Sequence, residues 1–372
     1  MVRKMERALP RRAISRVAPL GSFVPLDLNT PRLTAALYGL NAPALFKAAV
    51  MTQPSRPSTT PLDGLPAANR EQLERYAYSN NVPLRGLEIN GRPALTGIDP
   101  HKVGDHVLVF VRDPLCAYDD DPAAQVAKRL DDPVLAGQSG MFTTWSGYYK
   151  GAHVTAISGG SGSPEAELCM VELLEHTQAS TFLRVGGSGG TNERVRPGDI
   201  VIASGIVRHE GLSASYVSGG WPAVCSPDVV FALAEAAKAL GARYHIGLTR
   251  SSDSDFCGGG RPSVRGYLRH EQTLIVDECR RTGVLNGERE ASAIVTLATL
   301  FGRRGGSVCS VADNIATGEK FVAGAGHNAT VDVALEGVAM LHRMDRAARA
   351  TGSNHWLPSM GIAPAIEGWP LP

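Results

Sequence analysis

From about residue 104 onward the apolar positions alternate between two rhythms. "DHVLVFV" (105–111) and "AHVTAIS" (152–158) are short β-branched runs bounded by polar residues and glycine, the pattern of buried strands. "TFLRV" (181–185), "DIVIASGIV" (199–207), "YHIGLT" (244–249) and "SVCSVAD" (307–313) repeat that pattern. Between them the apolar residues return at helical spacing. "PEAELCMVELLEHT" (164–177) sets Leu168, Val171 and Leu174 on one face, behind a proline and two first-turn acids. "SPDVVFALAEAAKALG" (226–241) has a serine at its start and a glycine at its end. "NGEREASAIVTLATLFG" (286–302) and "TVDVALEGVAMLHRMDRAAR" (330–349) read as two further helices. Alternating strands and helices predict a three-layer α/β domain around a largely parallel or mixed sheet.

The ends of the chain lack this alternation. Residues 1–20 hold six basic residues and one acid, Glu6, with no long apolar stretch. Such a start fits a mitochondrial transit peptide or a plain basic tail. Residues 21–66 are rich in Pro, Ser and Thr and read as an irregular arm, followed by a short helix over 67–76. The expected organisation is an N-terminal extension (1–100), one α/β domain (101–350) and an irregular tail (351–372).

Composition narrows the function. Hydrophobic content of 43% and charged content of 20% are those of an ordinary globular protein. Thirty-seven Lys plus Arg against 36 Asp plus Glu give a formal charge of +1. Nothing in that balance points to nucleic acid. No apolar stretch approaches the roughly 18 residues of a membrane span. Six widely spaced cysteines without a CxxC pair speak against a zinc site or a disulfide framework. The expectation is a cytoplasmic protein without a metal, the basic N-terminus leaving the mitochondrial reading open.

Ligands of α/β folds gather at the carboxyl ends of strands. Two glycine-rich stretches stand there, 159–163 and 186–190, and neither fits a P-loop or a dinucleotide fingerprint. The first runs into Glu165 and Glu167, which repel an anion. The second follows Arg184 and contains Ser188. Exposed backbone N–H groups beside a guanidinium form an anion nest, and a tight structural turn is the plainer alternative.

Further stretches carry a resemblance: "FTTWSGYYKG" (142–151), "TFLRVGGSGG" (181–190), "VRPGDIVIASGIVRHEG" (195–211), "GLTRSSDSDF" (247–256) and "GVLNGEREAS" (283–292). In order and spacing the chain is similar to the nucleoside phosphorylase family, hexameric uridine phosphorylase type, over roughly residues 104–345. The resemblance implies a three-layer α/β/α sandwich around a distorted mixed β-sheet, and a homo-oligomer built from dimers. It implies cleavage of a nucleoside's N-glycosidic bond by inorganic phosphate as co-substrate, with no cofactor. It places phosphate on Arg184 and the 187–189 stretch, Gly187 standing where the family offers a hydroxyl, with Ser188 next door; Arg112, where the family has glycine, is the replacement clamp that this chain's own residues suggest. It gives the ribose to Glu290, beside Arg289, and the base to Phe256, Arg261 and Gly189. Asp313, in "SVADNI", corresponds to the acid that serves N7 of a leaving purine, so Glu290 and Asp313 are the expected catalytic residues. The plain alternatives are helix-dipole complementarity for Glu288 and Glu290 and a local cap for Asp313.

The chain also departs from that family. Its "RDP" (112–114) stands where the family has "GDP", followed by "LCAYDDD"; Gly140–Met141 replaces an arginine donated across the dimer; and Gly259 replaces the uracil-reading glutamine. Arg289 stands where the family has methionine, and the N-terminal histidine that reaches a neighbour's ribose is not evident near 93–97. Purine and pyrimidine therefore both remain open. So do phosphorolysis, phosphate-independent hydrolysis and a non-catalytic nucleoside-binding role.

Overall fold

Val107 and Val109 face one way from their strand, Leu108 and Phe110 the other, and both pairs are buried in separate apolar clusters. A strand covered on both faces requires helices on both sides of its sheet. The computed structural model describes residues 66–75, 86–113 and 120–361, and shows that arrangement. The basic segment 1–20, the arm to residue 65 and the last residues of the tail (362–372) lie outside the described residues.

The strands are β1 (Glu88–Ile89), β2 (Arg92–Pro93), β3 (His106–Val111), β4 (Asp131–Ser139), β5 (Phe142–Tyr149), β6 (Ala152–Gly159), β7 (Thr181–Gly190), β8 (Ile200–His209), β9 (Ala223–Val224), β10 (Tyr244–Ser252), β11 (Val284–Glu288) and β12 (Arg304–Asn314). The helices are α1 (Ala67–Arg75), α2 (Pro122–Ala127), α3 (Ser163–His176), α4 (Pro227–Ala239), α5 (Ile275–Thr282), α6 (Ala291–Leu300) and α7 (His327–Ala350). β1 and β2 form a separate hairpin. All other strands join one mixed sheet in the order β11-β10-β8-β12-β7-β3-β6-β5-β4, with β9 beside β8.

β11 also pairs antiparallel with β7, Asn286 opposite Gly190 and Gly287 opposite Gly189. That second pairing closes β7, β12, β8, β10 and β11 into a five-strand ring, from which β3, β6, β5 and β4 extend as an open wing. This closure is the distortion of the sheet. α3 and α6 cover one face through Met170, Leu173, Ile294 and Leu297. α4 and α7 cover the other through Val229, Leu233, Leu335 and Val338.

Two elements differ from the sequence pattern. The glycine-rich stretch 186–190 is not a loop: it continues β7 and pairs with β12 from Gly186 to Gly190. Residues 286–288 are strand, so α6 begins at Ala291 and Glu288 lies outside it. Residues 94–99, within the expected extension, pack on the domain: Ile98 is fully buried and Glu172 of α3 accepts the N–H groups of Leu95 and Thr96 at 2.9 and 2.8 Å. No helix among the described residues is long and apolar enough to cross a membrane.

Candidate active site

Side chains alternate along β7, so Phe182 and Arg184 share the face covered by α3 and α6. Phe182 meets their apolar flanks. Arg184, two residues on, reaches the N-terminal ends of both helices, whose first residues are Ser163 and Ala291. Helix N-termini expose unpaired N–H groups and favour negative charge. Two carboxylates fill that place here. Glu290 Oε1 accepts the N–H of Gly162, the residue preceding α3, at 2.6 Å, and the Ser161 hydroxyl at 3.3 Å. Glu288 Oε2 accepts the N–H groups of Glu290 and Ala291, both at 2.8 Å.

The guanidinium lies between these acids. Arg184 Nε and a terminal nitrogen approach Glu290 Oε2 at 3.0 and 2.9 Å, and Nε lies 3.5 Å from Glu288 Oε2. The side chains of Arg184 and Glu290 are each only 2% exposed. Burial, and next the charge of Glu290, push the Glu288 carboxyl above the usual range, against the pull of Arg184.

The glycines of β7 answer to this packing. A Cβ at Gly186 would collide with the Arg184 guanidinium, and one at Gly190 would lie 2.9 Å from the Asn314 amide. Gly187, Ser188 and Gly189 are half-buried while Gly186 and Gly190 are buried, so the open stretch is three residues long. The Ser188 hydroxyl donates to the Ser310 carbonyl at 2.7 Å and accepts from the Asn286 amide at 2.9 Å. Asn286 is in turn held by Thr249 at 2.7 Å.

At the end of β12 a register shift between Val311 and Asp313 sets Asp313 opposite Gly189. Asn314 fixes that strand end by donating to the carbonyls of Asn192 and Val195 at 2.9 and 2.7 Å. Asp313 Oδ2 accepts from Arg261 at 2.5 Å, and a Cβ at Gly189 would stand 2.7 Å from Asp313 Oδ1. Asp313, Arg261 and Gly189 are thus brought together. Phe256, on the loop between β10 and α5, is 61% exposed and stands apart from the cores. Arg289 joins a loop to a helix start: its guanidinium meets Asp255 at 3.2 Å, and its carbonyl accepts the hydroxyl of Ser163, the first residue of α3, at 2.7 Å.

Arg112 follows β3, the strand beside β7, pairs with Asp121 at 2.7 Å and donates to the Thr143 hydroxyl. Asp121 also accepts the Ser158 hydroxyl and caps α2 through the N–H groups of Ala123 and Ala124. Arg112, Asp121 and Thr143, with Asp113, Asp120 and Gln138, line an open cleft of about 520 Å³ that Arg184, Glu290 and Asp313 do not line. Sequence reasoning missed Gly162 and the hold of Glu288, to whose other oxygen the Ser251 hydroxyl donates. The signal for Gly162 was its glycine-rich turn, where φ is +105°.

Residues 115–345 match the model of the phosphorylase superfamily. The chain belongs to that superfamily. It is 40% identical over 219 residues to a uridine phosphorylase of Thermococcus kodakarensis, covering 59% of this chain and 78% of the relative. A uridine phosphorylase of Escherichia coli is 32% identical over 197 residues, 53% of this chain and 78% of the relative. A guanosine phosphorylase of Halorubrum lacusprofundi is 30% identical over 196 residues, with 53% and 76% covered. The α/β fold with its mixed sheet is that of the family.

Proposed function

We propose that this chain is a nucleoside phosphorylase that cleaves the N-glycosidic bond of a uridine- or 6-oxopurine-type ribonucleoside with inorganic phosphate, giving free base and ribose 1-phosphate. The observation that carries the reading is the contact of Arg184 with Glu290 beneath two helix N-termini. Each partner has a use that the other now occupies. A guanidinium holds a phosphate oxygen, and a carboxylate accepts a ribose hydroxyl. When both ligands bind, the single Arg184–Glu290 contact is exchanged for two.

The chemistry needs these groups. As the glycosidic bond lengthens the sugar gains positive charge and the base negative charge. A hydrogen bond from the ribose 2′-hydroxyl to Glu290 strengthens with the sugar's charge. Phosphate on Arg184 and the open 187–189 stretch is held for attack, so the bimolecular step becomes one within a single site. Phosphate oxygen forms the new bond to the anomeric carbon while the base departs with the bonding electrons. The Arg261–Asp313 pair offers a donor beside an acceptor, suited to a base edge with a carbonyl next to an N–H. Uracil, hypoxanthine and guanine all have such an edge. Arg289 borders the sugar and Phe256 the base. An assembly built from dimers completes the reading.

A hydrolase reading has one observation in its favour: Arg112 is neutralised by Asp121, so the expected second phosphate clamp is occupied. The test is cleavage of uridine, inosine and guanosine with and without phosphate. Phosphorolysis saturates with phosphate and yields ribose 1-phosphate; hydrolysis yields free ribose at a rate that ignores it.

A further inference from the structure

Resting on the reading above, we propose that Glu288 is the fixed counter-charge of Arg184 and Glu290 the exchangeable one, so that Glu288 is a positioning residue keeping the guanidinium in place when a sugar draws Glu290 away. The two carboxylates are held differently. Glu288 has both oxygens engaged: the Ser251 hydroxyl donates to Oε1, and two backbone N–H groups donate to Oε2 at 2.8 Å. Ser251 is itself fixed, because the N–H of Ser292 donates to its oxygen at 2.9 Å. The Ser292 hydroxyl donates to Glu210 at 2.7 Å, and Glu210 accepts the N–H of Ser213 at 3.0 Å. Each member of this chain is buried.

Glu290 is held more lightly. It has one backbone donor, Gly162, a long bond from Ser161, and Arg184 itself. Moving Glu288 would strip two N–H groups at the start of α6 of their acceptor, a costly loss in a buried place. Moving Glu290 frees one N–H in a glycine-rich turn. Arg184 Nε is 3.0 Å from Glu290 and 3.5 Å from Glu288, so a short shift transfers the contact without moving the guanidinium out of the site.

The charges around Glu288 set the consequence. Arg184 faces it from β7 and Glu290 from its own turn; Cys309 of β12 and Cys225, next to β9, are further titratable neighbours, and Glu210 lies beyond Ser251 and Ser292. Burial pushes both thiols up to about 12, so they stay neutral. One guanidinium between two carboxylates leaves an excess negative charge that opposes an anion. Without the Glu288 charge, Arg184 keeps its contact with Glu290. That pair then tightens, so a sugar competes less well for Glu290 while an anion is repelled less. Protonation of Glu288 has the same effect. Its ionisation is raised, so the charge is present at alkaline pH and lost as pH falls through that raised value.

The test is titration calorimetry of the full chain and of Glu288→Gln with inorganic phosphate and with uridine, separately, at alkaline pH. Sulfate, a fully ionised oxyanion, serves as the anion control. Glu288→Gln is expected to bind phosphate and sulfate roughly tenfold tighter and uridine roughly tenfold more weakly. Ser251→Ala keeps the charge and loosens its hold; both affinities then fall together, without opposite signs. Equal losses for both ligands in Glu288→Gln, or unchanged affinities, would overturn the proposal. If wild type binds phosphate but no nucleoside, the sugar role of Glu290 fails, while the anion arm still decides the role of Glu288. Absence of binding of either anion to both proteins overturns both.

Discussion

Arg184 lies on β7 and Arg112 just past the end of its neighbour β3, yet their surroundings are opposite. The Arg184 side chain is 2% exposed and lies between two buried glutamates; Arg112 is 40% exposed and has one aspartate. The difference lies in the duties of the carboxylates. Asp121 caps α2 and holds Ser158, so its bond to Arg112 is part of a framework. Glu290 has one backbone donor, a long bond from Ser161 and the contact with Arg184. On the proposed reading, a buried guanidinium whose partner can be exchanged takes the ligand, and an exposed one whose partner is committed elsewhere braces the β3–α2 corner. The three aspartates lining the Arg112 cleft add negative charge there, which opposes an anion.

Removing Arg184 should break this comparison most severely. Arg184→Ala leaves Glu288 and Glu290 without their buried cation, which costs about 3–5 kcal/mol of stability. Cleavage should also fall by about 100-fold or more, because the anion contact is lost in the transition state. Chemical denaturation and steady-state kinetics on the same preparation check both. A variant of near-normal activity would remove Arg184 from the site.

Gly186→Ala is the finer probe. The new methyl collides with the guanidinium, which is pinned and cannot retreat into solvent. The arginine stays but is displaced, so activity should fall by up to about 100-fold. The requirement for phosphate should rise more than that for nucleoside. Equal changes in both, or none, would show that the glycine serves the backbone alone.

Arg112→Gly should do least. An ion pair this exposed contributes about 0–1 kcal/mol, and Asp121 keeps its caps to α2. Phosphate KM should change less than about threefold. A tenfold rise would return Arg112 to the role of phosphate clamp that the sequence suggested.

The layered fold was legible because buried strands and amphipathic helices write their burial into side chains. Val107 to Val111, Val229 to Ala237 and Val331 to Met344 carry that pattern plainly. The closure of the ring was not legible, since it depends on Gly189 and Gly190, which have no side chain to show a period. The same gap turned a strand into an expected loop. Glu288 was misplaced for a related reason: "NGEREAS" has helix-start residues, and the pairing of Asn286 and Gly287 with β10 and β7 overrides them. Arg184 with Glu290, and Asp313 with Arg261, were named from the resemblance; their meeting across 106 and 52 residues could only be seen in the fold. That Ser188 and Arg112 are engaged by neighbours depends on Ser310, Asn286 and Asp121, which nothing local to either residue announces.

The central claim is that Arg184 holds an anion that becomes part of the product. The most direct measurement is the sugar product formed from uridine, inosine and guanosine at increasing phosphate, read by phosphorus NMR. The account predicts ribose 1-phosphate in amounts equal to free base, at a rate that starts from nothing and saturates with phosphate. Free ribose at a phosphate-independent rate would contradict it.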